Sequence, residues 1–129
     1  MESYQSNKIH HLDLFSGIGG FALGLQIADK DFYKTISFCE INAYCAEVLE
    51  KNFSGIPICR DIRELNTKGM QVDLITAGFP CQDLSIAGKK VGLKGERSGL
   101  FYETIKIAKE SNAKFIIFEN SPQLITNQQ

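Results

Sequence analysis

The sequence has little that would commit it to a metal, a membrane or a polyanion. Its four cysteines, Cys39, Cys45, Cys59 and Cys81, include no Cys-x-x-Cys pair, and neither His10 nor His11 stands at zinc-ligand spacing. No metal site and no redox pair is expected, and reduced thiols in a cytosolic (cytoplasmic) setting are. No apolar run approaches membrane-spanning length, and the polar start, Met1 to Lys8, lacks the apolar core of a signal peptide, so neither insertion nor export is expected. A net charge of −1 and a pI near 6.1 leave no global footprint for a nucleic acid, whose binders more often have a pI above about 9. Any such contact is local or comes from another segment. What is present is 129 residues, 43% of them apolar, enough to bury the core of one domain.

The apolar run Val72 to Ala77 stops at Gly78, and Pro80 blocks continuation as strand or helix. Cys81 therefore falls on a loop at the carboxyl end of a strand, where open α/β sheets bind ligands. A lone cysteine is ordinarily an inert core residue. Its place outside the apolar run, after a rigid Pro80 and before the polar Gln82, Asp83 and Ser85, favours a nucleophile instead.

The rest of the chain reads as alternating strands and helices. Lys8 to Phe15 alternates and ends at Ser16-Gly17-Ile18-Gly19-Gly20, after which Phe21, Leu23, Leu25 and Ile27 suggest the apolar face of a helix. Glycines there let a ligand approach the backbone and leave N-terminal amides for an anion, although a merely structural turn fits equally well. A second strand, Thr35 to Cys39, closes on Glu40, about 20 positions beyond the glycine turn, the spacing of a carboxylate that accepts ribose hydroxyls; a solvated strand end is the alternative. Asn42 reads as the N-cap of a helix over Ala43 to Lys51, with Tyr44, Val48 and Leu49 available for packing. Gly55 to Cys59 reads as a third strand, and the following Asp61 as a helix cap or an ion-pair partner of Arg60 or Arg63. Ala87 to Gly99 holds four glycines and a local charge of +3, which suits closure over a phosphate backbone or an ordinary solvated loop. A helix from Ser98 or Gly99 through Ser111, with Phe101, Ile105 and Ala108 on one face, leads to a fifth strand, Lys114 to Phe118, and then to Glu119 and Asn120.

Several stretches of this sequence together resemble the DNA cytosine-5 methyltransferases. Gly78-Phe79-Pro80-Cys81-Gln82 with Ser85 and Ala87-Gly88 is similar to that family's catalytic Pro-Cys loop, and Asp13 to Phe21 resembles its cofactor turn almost residue for residue. Glu40 and Asp61 stand at the family's ribose and adenine positions, and Glu96 to Phe101 resembles its acid, Arg-Gly, Leu-Phe run with Ser98 and Gly99 as a small departure. Glu119-Asn120 resembles the Glu-Asn-Val signature, with Ser121 in place of Val. The resemblance implies S-adenosylmethionine held by Asp13, Phe15, Ser16, Gly17, Gly19, Gly20, Glu40, Asp61, Gly78 and Pro80, with Ile41 and Ile62 flanking the adenine or serving the core. It implies Cys81 as nucleophile and Glu119 as the acid at cytosine N3, with Pro80, Asn120 and Arg97 in support and Gln82 and Ser85 near the loop, the phosphates or the flipped base.

The chemistry asks for these groups. Cytosine C5 is a poor nucleophile, so a thiolate first adds at C6, and a carboxyl in a partly desolvated pocket takes up charge at N3. The base must leave the duplex to be reached. The resemblance spans about Ile9 to Leu124 and lacks the family's later Gln-x-Arg-x-Arg segment, its target-recognition region and its final helix. An α/β fold is expected, a Rossmann-like, doubly wound, mostly parallel sheet ordered 3-2-1-4-5 and truncated after the fifth strand. Partners expected are DNA bearing the target cytosine and a second polypeptide or further carboxyl-terminal segment, in a bacterial or phage-encoded restriction-modification setting. An inactive cofactor- or DNA-binding module and an RNA cytosine-5 methyltransferase are the alternatives.

Overall fold

The computed structural model describes residues 7–79 and 96–120. The run Pro80 to Gly95, which carries Cys81, Gln82 and Ser85, lies outside the described residues, as does everything from Ser121 onward. The elements follow in the order β1 (Ile9–Leu14), α1 (Gly20–Asp29), β2 (Tyr33–Cys39), α2 (Ala43–Asn52), β3 (Ile58–Cys59), a short 3-10 helix (Ile62–Glu64), β4 (Leu74–Gly78), α3 (Glu96–Ser111) and β5 (Phe115–Glu119). The five strands form one sheet, ordered β3-β2-β1-β4-β5, and every pairing is parallel.

That order follows from chain physics. Parallel neighbours need a crossover, and a right-handed crossover puts its helix on a face set by the direction of travel. From β1 to β3 the chain moves one way across the sheet, and from β4 to β5 it moves the other way. α1 and α2 thus cover one face and α3 the opposite one. The core divides accordingly. Leu12, Leu14, Ile75, Ala77 and Ile107 are buried in one cluster, against which Phe101 and Ala108 of α3 pack; Ala22, Phe38, Leu49 and Phe53 form the other, beneath α1 and α2. The reversal of direction falls between β1 and β4, so a crevice opens outside their carboxyl ends, where such sheets take ligands.

Several elements differ from the sequence expectation, each for a physical reason. β3 shrinks to two residues, because Gly55 adopts φ +88° and Pro57, which has no N–H to donate, serves only as an acceptor for Phe38 N at 2.9 Å. In α1 the apolar side chains do not make one buried stripe: Ala22 is buried, whereas Leu23 and Ile27 are exposed. In α2, Ala46 and Leu49 are buried and Tyr44 is exposed. α3 begins at Glu96, and its most buried residues are Thr104, Ile107 and Ser111, so the helix is rotated from the expected Phe101, Ile105 and Ala108 face. The two hydroxyls are tolerated there because each donates to a carbonyl one turn back, Thr104 to Leu100 at 2.9 Å and Ser111 to Ala108 at 3.3 Å.

At the amino edge Asp73 fastens three strands. Its Oδ2 accepts from His10 N at 2.9 Å, and its carbonyl accepts from Lys114 N and Phe115 N at 3.0 Å each. At the carboxyl edge the turn after β1 depends on glycine. Gly19 has φ +94°, and a Cβ there would lie 2.5 Å from Phe53 Cε2 and 3.0 Å from Leu49 Cδ2, both core atoms of the α2 layer. Gly17 has φ +57° with open space around it. Gly17→Ala is therefore expected to cost about 1 kcal/mol, the left-handed backbone term alone. Gly19→Ala adds overpacking and is expected to cost roughly 2–4 kcal/mol. Urea denaturation of the two variants checks the ranking; equal losses would show that Phe53 does not constrain the turn.

Candidate functional site

Five strand ends meet at the carboxyl edge, and each contributes an element of the site. After Leu14 the chain turns at Phe15, a non-glycine residue held at φ 54°, and then at Gly17 and Gly19. Ser16 pins this turn: its amide donates to Cys39 O at 3.1 Å, and its hydroxyl donates to Asp13 O at 2.8 Å. Gly19 is the N-cap of α1, and among the described residues no side chain caps the first turn of that helix. Those amides suit an anionic group.

Glu40, just beyond β2, holds the turn from the other side. Its Oε1 accepts from Gly17 N at 2.7 Å and its Oε2 from Asn42 N at 2.8 Å. Arg60 fastens the same segment, donating from Nε to Glu40 O at 3.0 Å and from Nη2 to Ile41 O at 2.7 Å. Glu40 is therefore an anchored acid and no solvated strand end. Asn42 caps α2 as expected, accepting from Cys45 N at 3.0 Å. Asp61 caps the 3-10 helix, its Oδ1 accepting from Arg63 N at 2.9 Å, so one carboxylate oxygen is engaged in local structure. The two isoleucines part company. Ile41 is 72% exposed beside Glu40, while Ile62 is buried in the main core, so only Ile41 offers a broad face to a ligand.

β4 and β5 bring the remaining groups to the same edge. A Cβ at Gly78 would meet Glu119 Oε2 at 3.3 Å and Phe15 O at 3.9 Å, so this glycine separates the turn after β1 from the acid at the end of β5. Phe79 N donates to Glu119 O at 3.2 Å. The Phe79 ring packs on Phe15 at 5.1 Å, on Phe118 at 5.5 Å and on Phe101 at 5.8 Å between centroids. The backbone just before Pro80 and Cys81 thus rests on an aromatic floor shared by the turn after β1, by β5 and by α3. Glu119 itself is exposed among the described residues. Asn120 follows it, and Arg97 lies in the first turn of α3 with its side chain outside the described residues.

Beneath the turn lies a buried polar chain that motif reading did not anticipate. Thr35 Oγ1 is 2.8 Å from His11 Nδ1, His11 Nε2 is 2.6 Å from Thr76 Oγ1, and Thr76 Oγ1 is 2.6 Å from Asp13 Oδ1. His11, Asp13 and Thr76 are fully buried. Burial pushes the Asp13 carboxyl up to about 7, against the hydrogen bonds of Thr76 and Ser16, with Glu40 adding to the rise. Burial likewise lowers His11 to about 4. Cys39, which faces Cys59 across the β2–β3 pairing, is held as a thiol by burial and by that neighbour. Cys39, Cys45 and Cys59 are unbridged, and among the described residues no cluster of acidic, His or Cys side chains could hold a metal. Nor is any described helix long and apolar enough to cross a membrane.

Comparison with known proteins gives the family and the fold. Residues 9–129 match the family described as C-5 cytosine-specific DNA methylase. The chain is 43% identical over 118 residues to the type II methyltransferase M2.BsuMI of Bacillus subtilis (strain 168), covering 88% of this chain and 29% of that protein. It is 35% identical over 115 residues to the type II methyltransferase M.CviJI of Paramecium bursaria Chlorella virus IL3A, covering 88% of this chain and 30% of that protein. The chain thus spans about three tenths of the length of these relatives. Its fold is similar to part of the Spodoptera frugiperda DNMT2 structure, with a TM-score of 0.69 at 24% identity over 93% of this chain and 40% of the other. The S. pombe Dnmt2 methyltransferase gives 0.65 at 22% identity over 94% of this chain and 39% of that one.

The two buried titratable groups oppose each other in stability. Between pH 3.8 and about 7 folded Asp13 keeps a proton that the unfolded chain has released, so its contribution falls as pH rises. Between about 4 and 6.5 the unfolded chain protonates a histidine that the folded protein keeps neutral, so the His11 contribution grows as pH rises. At about 1.4 kcal/mol per tenfold change in proton affinity, the contributions are on the order of 4 kcal/mol for Asp13 and 3 kcal/mol for His11. Denaturation profiles from pH 4 to 7 are expected to tilt downward with rising pH in His11→Phe and upward in Asp13→Asn, with the unsubstituted protein between them. Parallel profiles for all three would refute the assignment.

Proposed function

The chain belongs to the C-5 cytosine-specific DNA methylase family, and from that premise we propose that it is the catalytic region of an enzyme that transfers a methyl group from S-adenosylmethionine to C5 of a cytosine in DNA. The observation that carries this reading is the meeting at Gly78. There the root of the Cys81 loop lies between the glycine turn, through Phe15 O, and the Glu119 carboxylate. A nucleophile, an acid and a cofactor turn are thereby rooted at three adjacent strand ends.

The residues present fit the cofactor. Uncapped first-turn amides of α1 suit its carboxylate, the anchored Glu40 suits its ribose hydroxyls, and Asp61 and the exposed Ile41 suit the adenine edge and face. Asp13, whose Oδ2 has no hydrogen-bond partner among the described residues, sits beneath the turn. Bound there, S-adenosylmethionine supplies an electrophilic methyl carbon.

The chain's own groups prepare the acceptor. Cys81 as thiolate adds to C6 of the flipped cytosine, forming a carbon–sulfur bond and making C5 enamine-like. Glu119 bonds N3 and the exocyclic amine, compensating the charge that the addition places on the ring. Once C5 carries the methyl group, its proton passes to water, the C5–C6 double bond re-forms and the carbon–sulfur bond breaks, so Cys81 leaves as the thiolate. Pro80 stiffens the loop, while Gln82, Ser85, Arg97 and Asn120 hold the loop, the phosphates or the base. Target reading and turnover are assigned to a further segment or a second polypeptide, in a type II modification setting like that of the relatives.

Two measurements test the reading. Calorimetric titration with S-adenosylmethionine is expected to show binding weakened at least tenfold by Glu40→Ala, the scale of a lost charge-assisted hydrogen bond; equal affinity would remove Glu40 as an anchor. In the completed enzyme, an oligonucleotide carrying 5-fluorocytosine should be captured covalently, since fluorine cannot leave as a proton does. Capture is expected to disappear in Cys81→Ala. A variant that still captures would sink the mechanism, and preferential capture of RNA over duplex DNA would overturn the substrate.

A further inference from the structure

Three polar side chains that the methyl-transfer chemistry leaves unused stand in line with one that the cofactor site uses. They run from Thr35 on β2 through His11 on β1 to Thr76 on β4 and return to Asp13 on β1, in steps of 2.8, 2.6 and 2.6 Å. Beyond Thr35 lies a cleft of about 430 Å³ between α1 and the amino-terminal ends of β1 and β2, lined also by Gln26, Lys30 and Lys34. The far end of the chain, Asp13, has no solvent exposure.

With the proton of a neutral Asp13 placed on Oδ1, the oxygen that has a partner in the chain, counting donors leaves two self-consistent arrangements. With Asp13 ionised, Thr76 donates to Asp13, His11 donates from Nε2 to Thr76, and Thr35 donates to a bare Nδ1. With Asp13 protonated on Oδ1, every bond reverses: Asp13 donates to Thr76, Thr76 to Nε2, and His11 from Nδ1 to Thr35. The two arrangements differ by one proton. Passing from the second to the first, Asp13 gives its proton to Thr76, Thr76 gives its own to Nε2, and Nδ1 releases one to Thr35, whose hydroxyl proton leaves to water in the cleft. The imidazole ends neutral in both, having changed only its tautomer.

We propose that Thr35, His11 and Thr76 form a proton path through which Asp13 exchanges with the cleft behind α1, and that His11 and Thr76 are thereby positioning residues of the cofactor site, acting through Asp13. Burial supports this by holding His11 as a neutral imidazole and by bringing Asp13 into the range where both of its states are populated near neutrality. Glu40, from the end of β2, is the charged side chain that acts on Asp13; β4 presents Thr76, and α1 carries no charge before Asp29 at its far end. The path belongs to the unliganded chain. Its consequence, that a cationic methyl donor drives the proton out and fixes the Nε2–H tautomer, rests on the proposed function.

Nitrogen-15 NMR of the histidine-labelled chain tests both parts, with His10→Gln assigning the two histidines. As pH is raised through the Asp13 titration, followed by carbon-13 of its carboxyl, the His11 ring should stay neutral and pass from the Nδ1–H to the Nε2–H tautomer. Thr76→Val should abolish the switch and Thr76→Ser restore it. A single tautomer throughout the Asp13 titration, or an imidazolium at its lower end, overturns the path. At a fixed pH below the Asp13 midpoint, S-adenosylmethionine should produce the same switch. A switch with pH but none with the cofactor would leave the path standing and overturn the positioning role.

Discussion

A single carboxylate decides the shape of the site. Glu40 accepts from Gly17 N with one oxygen and from Asn42 N with the other, so two turns that follow different strands are tied to one side chain. Neither turn has a regular ladder to define it, and Gly17 and Gly19 sit at positive φ, one of several conformations that glycine reaches freely, so the side-chain anchor selects it. Arg60 in turn grips the carbonyls of Glu40 and Ile41, so β3 fixes the acid that fixes the turn. Preorganisation of this sort spares a ligand the cost of ordering its own site.

The polar residues beneath the turn follow a different logic. A parallel sheet covered on both faces ordinarily carries apolar side chains, yet His11, Asp13 and Thr76 occupy fully buried positions on adjacent strands. They are tolerated because each finds a partner across the β1–β4 and β1–β2 pairings, and because the acid and the imidazole are both pushed toward their neutral forms. The pairing also sets register. Slipping β1 by one residue would turn this polar set into the Leu12 and Leu14 layer, leaving it unsatisfied.

Much of this architecture was legible in the residues. Glycines at Gly17 and Gly19 mark positive φ, the interval to Glu40 marks a strand end beside the turn, and alternation of strand and helix yields the sheet order. The buried helix faces were harder to read. In α3 a threonine occupies the core because its hydroxyl bonds its own helix, and hydrophobicity alone does not show this. The path from Thr35 to Asp13 was invisible for a different reason, since His11 and its two threonine partners lie 24 and 65 positions apart and meet only when the strands pair. A histidine inside a parallel strand was the one available signal that partners had to exist. The aromatic floor under Phe79 was hidden in the same way.

Phe15 carries a constraint on how this surface can vary over evolutionary time. Its backbone stands at φ 54° while its ring packs on Phe79, 5.1 Å away. Glycine would relieve the backbone and forfeit the ring; a β-branched residue would fill space that the backbone then refuses. The position therefore lies on a narrow ridge of permitted substitutions, open to side chains that are planar, unbranched at Cβ and tolerant of a left-handed turn. Drift at this one residue is coupled to Phe79, and a change in either selects for a matching change in the other.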